Sequence, residues 1–154
     1  MDIIGSRTRD IAELALNGLY ERQKATAANI ANVRTPGYQR KDIVFEDQLQ
    51  QIREGYDLKE QIKLENSAMW KQNPKEALEN QDPAQIAFMR SNLTKDYLPQ
   101  IYDDLGAPVS PDGNNVVLEE EMMKAAKAGT QYTTITTLLG KSYQGLATII
   151  KGQL

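Results

Sequence analysis

Residues 118–151 read LEEEMMKAAKAGTQYTTITTLLGKSYQGLATIIK, and their reading decides the architecture. Leu118, Met122, Ala125, Gly129, Tyr132, Thr136, Leu139, Tyr143, Leu146 and Ile150 follow one another in alternating steps of four and three. All but Gly129 and Thr136 are apolar. A sustained 3.5-residue period is the seam of a coiled coil, although the same stripe also fits a core helix of an α-bundle. At about 1.5 Å per residue such a helix is about 50 Å long. It needs a partner along its whole length, either a second helix of the chain or copies of itself. Gly129, Gly140 and Gly145 each weaken it by about 1 kcal/mol, and the threonine-rich run 130–137 weakens it further. Packing therefore has to set this helix, because propensity does not.

Proline placement extends the reading outward. The six prolines stand at 36, 74, 83, 99, 108 and 111, with none in 1–35 or 112–154. A proline inside a helix costs about 3 kcal/mol, so both ends are free to be long helices. The N-terminal helix is expected over about 6–32, with Ser6 as its cap and Asp10 on the favourable side of the dipole. Its stripe runs through Ile11, Leu14, Ala15, Gly18, Ala25 and Ala28. Past Arg22 the large apolar residues give way to alanines, which permit close backbone approach. The expected division is an N-terminal helix (1–32), a middle region (33–117) and a C-terminal helix (118–154). In the middle, Tyr38 to Val44 reads as extended, and Phe45, Leu49 and Ile52 as a short amphipathic helix. Asp82-Pro83-Ala84-Gln85 is a helix start, with Ile86, Met89, Leu93 and Tyr97 on one face. Asp112-Gly113 is a tight-turn pair, after which Val116-Val117-Leu118 suits a short strand. The fold class expected is mainly α: long terminal helices paired as a coiled coil, and an irregular middle with small helices and room for a β-hairpin.

Composition removes several functions. The 154 residues hold 18 Lys+Arg and 21 Asp+Glu, a net charge of −3, with no Cys and no His. Disulfides, thiolate or imidazole metal sites and Ser-His-Asp chemistry are excluded. The longest apolar run, Ile86 to Met89, is far short of the roughly 20 residues of a membrane span. Met1-Asp-Ile-Ile-Gly-Ser-Arg7 lacks the features of a secretory signal, so any export is expected to use another route. Glu119, Glu120 and Glu121 suit the dipole at the start of the C-terminal helix, and no partner for acid–base work is in sight. Arg22, Lys24, Arg34, Arg40 and Lys41 against Glu21 give a local excess of +4. These read as solvated charges or contacts to acidic neighbours, since nucleic-acid binding wants more charge and interleaved aromatics. Trp70 reads equally as a packing anchor or an interface residue. No cofactor, metal or small-molecule substrate is expected.

Ala27 to Tyr38, AANIANVRTPGY, is the most informative short stretch. Asn29 and Asn32 are three apart and project from one helix face, and Asn32 can take a left-handed cap. Thr35-Pro36-Gly37-Tyr38 suits a type II turn, with proline fixing φ and glycine supplying positive φ. Locally this is a helix end and a turn. The sharper reading has the two asparagines lock the turn so that helix and chain present one surface.

Asn29-Ile30-Ala31-Asn32 followed by Thr35-Pro36-Gly37-Tyr38 resembles the signature of the bacterial flagellar basal body rod and hook (axial) protein family. Pro111-Asp-Gly-Asn-Asn-Val116, with Leu118 and Glu121-Met122, is similar to the B-type proximal rod branch of that family. The resemblance covers both ends, about half the chain; Arg34 departs from the small or acidic residues common there. It implies a structural subunit without enzymatic activity, whose terminal helices pair in the inner wall of a tube. It also implies passage through the flagellar type III export apparatus and assembly in the periplasmic rod, where subunits meet copies of themselves, other rod proteins and adaptors at the membrane ring. On this reading Asn29, Ile30, Asn32, Thr35, Pro36, Gly37 and Tyr38 form the assembly motif. Ile11, Leu14, Leu118, Met122, Tyr132, Leu139, Tyr143, Leu146 and Ile150 form the coiled-coil seam. The alternative is a soluble coiled-coil adaptor or export chaperone.

Overall fold

A computed structural model describes residues 6–79, 82–106 and 109–152. Two compact units emerge: the first takes the chain up to Asp47 and again from Leu98, the second Gln48–Tyr97. The first unit holds α1 (Ser6–Ala31), β1 (Lys41–Val44), β2 (Gln100–Asp103) and α5 (Leu118–Ile150). The cap expected of the Ser6 side chain lies outside what is described.

α1 and α5 pair antiparallel as an α-helical coiled coil. Glu13 meets Tyr143 near one end and Asn29 meets Glu121 near the other. The face that α1 turns inward carries Gly18, Leu19, Ala25, Thr26 and Asn29, with Ile11 and Leu14 half-buried. Small residues let the backbones approach. On α5 the stripe runs through Glu121, Ala125, Ala128, Tyr132, Ile135, Leu139, Ser142 and Leu146, stepping by four and three. The period is the expected one, and its phase differs at alternate positions. Tyr132, Leu139 and Leu146 lie on the stripe; Leu118, Met122, Tyr143 and Ile150 do not, Met122 being 59% and Ile150 84% exposed. The physical reason lies at Glu121, which Arg40 and Asn29 hold inward so that Met122 beside it turns out; Ser142 falls on the same face without a hydrogen-bond partner.

β1 and β2 form a two-stranded antiparallel ribbon, with Lys41 opposite Asp103 and Val44 opposite Gln100. It is a long-range pairing in place of the hairpin expected near Asp112-Gly113. Val116 and Val117 instead lead straight into α5, the Val116 N–H donating to Asn114 Oδ1 at 2.7 Å. Ile43 is buried from β1, as is Phe45 just beyond it. The ring of Phe45 lies where a Cβ on Gly18 would stand, 2.4 Å from Cγ.

α2 runs Glu46–Gln72, 27 residues, where only a short helix was expected. No proline lies between Pro36 and Pro74, so nothing interrupts it. Glu46 and Asp47 stand in its first turn and Lys71 in its last, both favourable to the dipole. Trp70 is on this helix and exposed. In the second unit α2 buries Ile52 and Ile62, while Leu93 lies against Gly55. Lys59 Nζ reaches the carbonyls of Met89 and Ser91 and sits over the Phe88 ring. α3 (Pro74–Glu79) and α4 (Pro83–Arg90) both open on proline, and Asp82 caps α4 through the Ala84 N–H at 2.8 Å. α4 ends at Arg90 rather than running on to Tyr97. Asn92 Oδ1 accepts from both the N–H and the hydroxyl of Thr94, turning the chain before Pro99.

Candidate assembly joint

The signature stretch lies where α1 ends, β1 begins and α5 starts. Thr35 to Tyr38 closes as a type II turn: the Tyr38 N–H donates to the Thr35 carbonyl at 3.2 Å, and Gly37 has φ +73°. Thr35, Pro36 and Gly37 are exposed and Ile30 and Tyr38 half-buried. A second turn faces the first. The Gly37 N–H donates to the Asp112 carbonyl at 2.9 Å, and Gly113 has φ +82° with its pro-Cβ position 3.4 Å from Gly37 Cα. Two positive-φ glycines therefore meet in van der Waals contact, and both are needed for φ.

Asn29 is completely buried and uses all its capacity. Its Nδ2 donates to the Lys41 carbonyl at 2.7 Å and to Glu121 Oε2 at 2.8 Å; its Oδ1 accepts from the Lys41 N–H at 2.9 Å and the Tyr38 hydroxyl at 3.1 Å. Two donors and two lone pairs are satisfied, as a buried amide requires. One side chain thus splices helix, turn, strand and α5. Burial, with the charges of Asp103 and Glu121, pushes the Tyr38 hydroxyl above its ordinary pKa.

Asn32 does something different from its expected role. No non-glycine residue among those described has positive φ, so it takes no left-handed cap. Its Nδ2 returns to the Ala28 carbonyl at 2.8 Å and its Oδ1 accepts from the Thr35 hydroxyl at 3.1 Å. The Asn32 N–H donates to the Asn29 carbonyl at 3.1 Å, but the two side chains part: that of Asn29 faces the core and that of Asn32 ties the helix end to the turn.

The charge centre of the joint is Arg40, 4% exposed. Its Nε donates to Glu121 Oε1 at 2.7 Å, one terminal nitrogen to Asp42 at 2.7 Å and the other to Asp104. Burial alone would lower its pKa; the bond and charge of Glu121, with Asp42 and Asp104, carry it above the ordinary value. Asp42 also meets Lys124 at 3.3 Å. Asn115 Oδ1 accepts from the Arg40 N–H at 2.6 Å while its Nδ2 donates to the Asp104 carbonyl at 2.6 Å. The Asn114 Nδ2 is shared among the carbonyls of Asn32, Val33 and Thr35, so the stretch that follows α1 has its carbonyls satisfied from the segment just ahead of α5.

Arg40 and Glu121, read from the sequence as a solvated charge and a dipole partner, are therefore buried against each other. Asn114 and Asn115 belong to the joint although no role was assigned to them. Nearby, Arg22 forms a bidentate pair with Glu46 at 2.7 and 2.9 Å, donates to the Ile43 carbonyl at 2.7 Å and covers the Phe45 ring. Burial alone would raise the Glu46 carboxyl; the Arg22 bond and charge hold it below its ordinary range. Arg34 is exposed on the turn side. The arrangement holds three chain segments together and offers no nucleophile and base to a substrate.

The family described as "Flagella basal body rod protein" has a model that matches residues 10–39, which run from the first turns of α1 through the type II turn. The chain is 31% identical over 137 residues to the flagellar basal body rod protein FlgB of Yersinia ruckeri, covering 89% of this chain and 88% of that protein. It is 30% identical to FlgB of Salmonella typhimurium, over 90% of this chain and 88% of that protein. The FlgB protein of Escherichia coli K12 is likewise 30% identical, over 89% and 88% respectively. No helix among the described residues is long and apolar enough to cross a membrane.

Proposed function

We propose a finer role for a chain that belongs to the flagellar basal body rod protein family, in its FlgB type, and is a structural subunit of that rod rather than an enzyme. The chain reaches the periplasm through the flagellar export apparatus. There it joins copies of itself, other rod proteins and the adaptors at the membrane ring to build the proximal rod, which transmits torque and encloses part of the export channel. Segments 1–32 and 118–154 line the inner wall, and 33–117 meets neighbouring subunits. The turn Thr35, Pro36, Gly37 and Tyr38, held by Asn29 and Asn32 beside Ile30, fixes where the outgoing chain touches the next subunit.

One observation carries this reading. α5 is paired with α1 along one stripe, yet it keeps a second apolar set in the open: Leu118, Met122, Met123, Leu138, Tyr143, Ile149 and Ile150. Exposed apolar residues near both ends of a helix mark surfaces finished by another molecule, and a contact that does not close on itself makes a helical tube. Electron cryo-microscopy of isolated basal bodies is the test. Tracing this chain in the proximal rod, with Met122, Leu138 and Ile150 covered by neighbouring subunits, is the expected result. Tracing it elsewhere, or with those residues bare to solvent, overturns the reading.

A further inference from the structure

We propose that the buried Arg40–Glu121–Asn29 cluster is a register lock: it selects one alignment of α1 and α5 among several that the seam itself would accept. The seam is built largely of small residues at heptad spacing. α1 contributes Gly18, Ala25 and Thr26, and α5 contributes Ala128, Leu139 and Ser142. Consider α5 slid by one heptad so that each inward slot receives the residue seven positions later. Ala128 is replaced by Ile135, Leu139 by Leu146 and Ser142 by Ile149. Two slots turn polar, since Ile135 gives way to Ser142, whose hydroxyl has no partner in the observed seam, and Leu146 gives way to Gln153. The gains at the Ala128 and Ser142 slots are offset by these losses, so apolar burial separates the two alignments only weakly.

The cluster opposes it inside the helix pair, beside the Asn114 and Asn115 bonds just ahead of α5. In the slid alignment Ala128 takes the place of Glu121 and offers no acceptor. Arg40 Nε and Asn29 Nδ2 would then lose their shared carboxylate, at 2.7 and 2.8 Å, inside a site where both side chains are almost fully buried. The opposite slide brings Asn114, an uncharged side chain that lies outside the helix. A buried ion pair is weak evidence for stability, because desolvation offsets much of its attraction. Its penalty when broken is large, and fixing register is its best-attested use. At the other end of the pair, the Tyr143–Glu13 bond is exposed and imposes no such penalty.

The chain has no cysteine, so engineered pairs report alignment cleanly. Glu13→Cys with Tyr143→Cys marks the observed register, and Glu13→Cys with Ile150→Cys marks the slid one, about 10 Å further along α5. A short bis-maleimide is applied to the full chain carrying each pair, and helicity is followed by circular dichroism. In the otherwise unaltered chain only the 13/143 pair should cross-link. With Arg40→Met and Glu121→Met added, helicity should persist and the 13/150 product should rise about tenfold or more, a bias of the size that one lost discriminating contact produces. Glu121→Gln, which retains the shape and the Asn29 bond and removes the charge, should raise it as well. Exclusive 13/143 cross-linking in both variants means that steric fit around Ala128 sets the register, and the proposal fails. It fails too if the methionine pair abolishes helicity and the glutamine variant yields no 13/150 product, or if the unaltered chain does not link 13 to 143.

Discussion

At the scale of single residues the joint depends on side chains with no spare capacity. Glu121→Ala leaves Arg40 with Asp42 and Asp104 but strands its Nε and one hydrogen of the Asn29 amide. Removing one partner of a buried pair typically costs about 3–5 kcal/mol. The two remaining carboxylates put this case near the low end, about 3 kcal/mol, measured by denaturant unfolding of the full chain. A loss below about 1 kcal/mol would mean that water reaches the site and replaces the carboxylate. The paired glycines give a different kind of cost. Around Gly37 an added Cβ meets nothing, so Gly37→Val is opposed only by its positive φ, about 1–2 kcal/mol. Gly113→Val carries the same backbone penalty and also adds branched methyls beyond a Cβ already in contact with Gly37 Cα. It should therefore be the more damaging of the two in thermal unfolding, and equal effects would remove the close approach from the account.

Elements are held by contacts that join neighbours in space. β1 and the start of α2 are fastened to α1 by Phe45 over Gly18 and by Arg22 on Glu46. Gly18→Ala drives a methyl into the buried Phe45 ring and should destabilise by about 1–3 kcal/mol, despite the better helix propensity of alanine. A neutral or stabilising result in denaturant unfolding would show that the ring moves aside freely. Because folding holds Glu46 below its ordinary pKa, its contribution is present above the unfolded value of about 4.3 and is lost as pH falls through the lower folded value. Wild type should thus exceed Glu46→Gln in stability at neutral pH and converge with it once the pH has fallen below that folded value. Solvent exposure of Glu46 keeps the gap well under about 1 kcal/mol. The terminal helices, the turn at 35–38 and the Asp82 cap were legible because their signals are local: period, proline-free length, Pro-Gly and Asp-Pro. The strand pair was not, since Lys41–Val44 and Gln100–Asp103 carry no common pattern. Nor was Arg40–Glu121, 81 residues apart in sequence. The length of α2 was written in the proline-free interval 37–73, but its polar composition hid the few positions, Ile52 and Ile62, that bury it. The phase of the α5 seam misled because Met122 and Tyr143 look like core and Glu121 and Ser142 do not.

For the whole molecule the question is which apolar positions hold the subunit and which hold the rod. Leu138 and Leu139 are adjacent on α5 and separate the two. Leu139 is 8% exposed on the stripe that faces inward; Leu138 is 55% exposed on the outer flank. Threonines surround Leu138, and their hydroxyls turn back to the helix: Thr130 to Ala126, Thr133 to Gly129, Thr134 to Thr130 and Thr137 to Thr133, at 2.8–3.0 Å. With those polar groups satisfied internally, the flank presents methyl groups, and a stretch that reads as polar in composition is suited to dry packing. Leu139→Asp buries an unpaired carboxylate and should unfold the α1–α5 pair in the isolated chain, visible as lost helicity. Leu138→Asp adds a charge already in water, so the isolated chain should keep its helicity and its unfolding midpoint within about 0.5 kcal/mol. In a cell whose own copy is deleted, the same Leu138→Asp chain should be made and exported yet fail to restore rods, because packing the flank against a neighbour would then bury the charge. Full motility with Leu138→Asp would leave this flank of α5 solvated in the assembled rod, and the exposure of Leu138 would need another explanation.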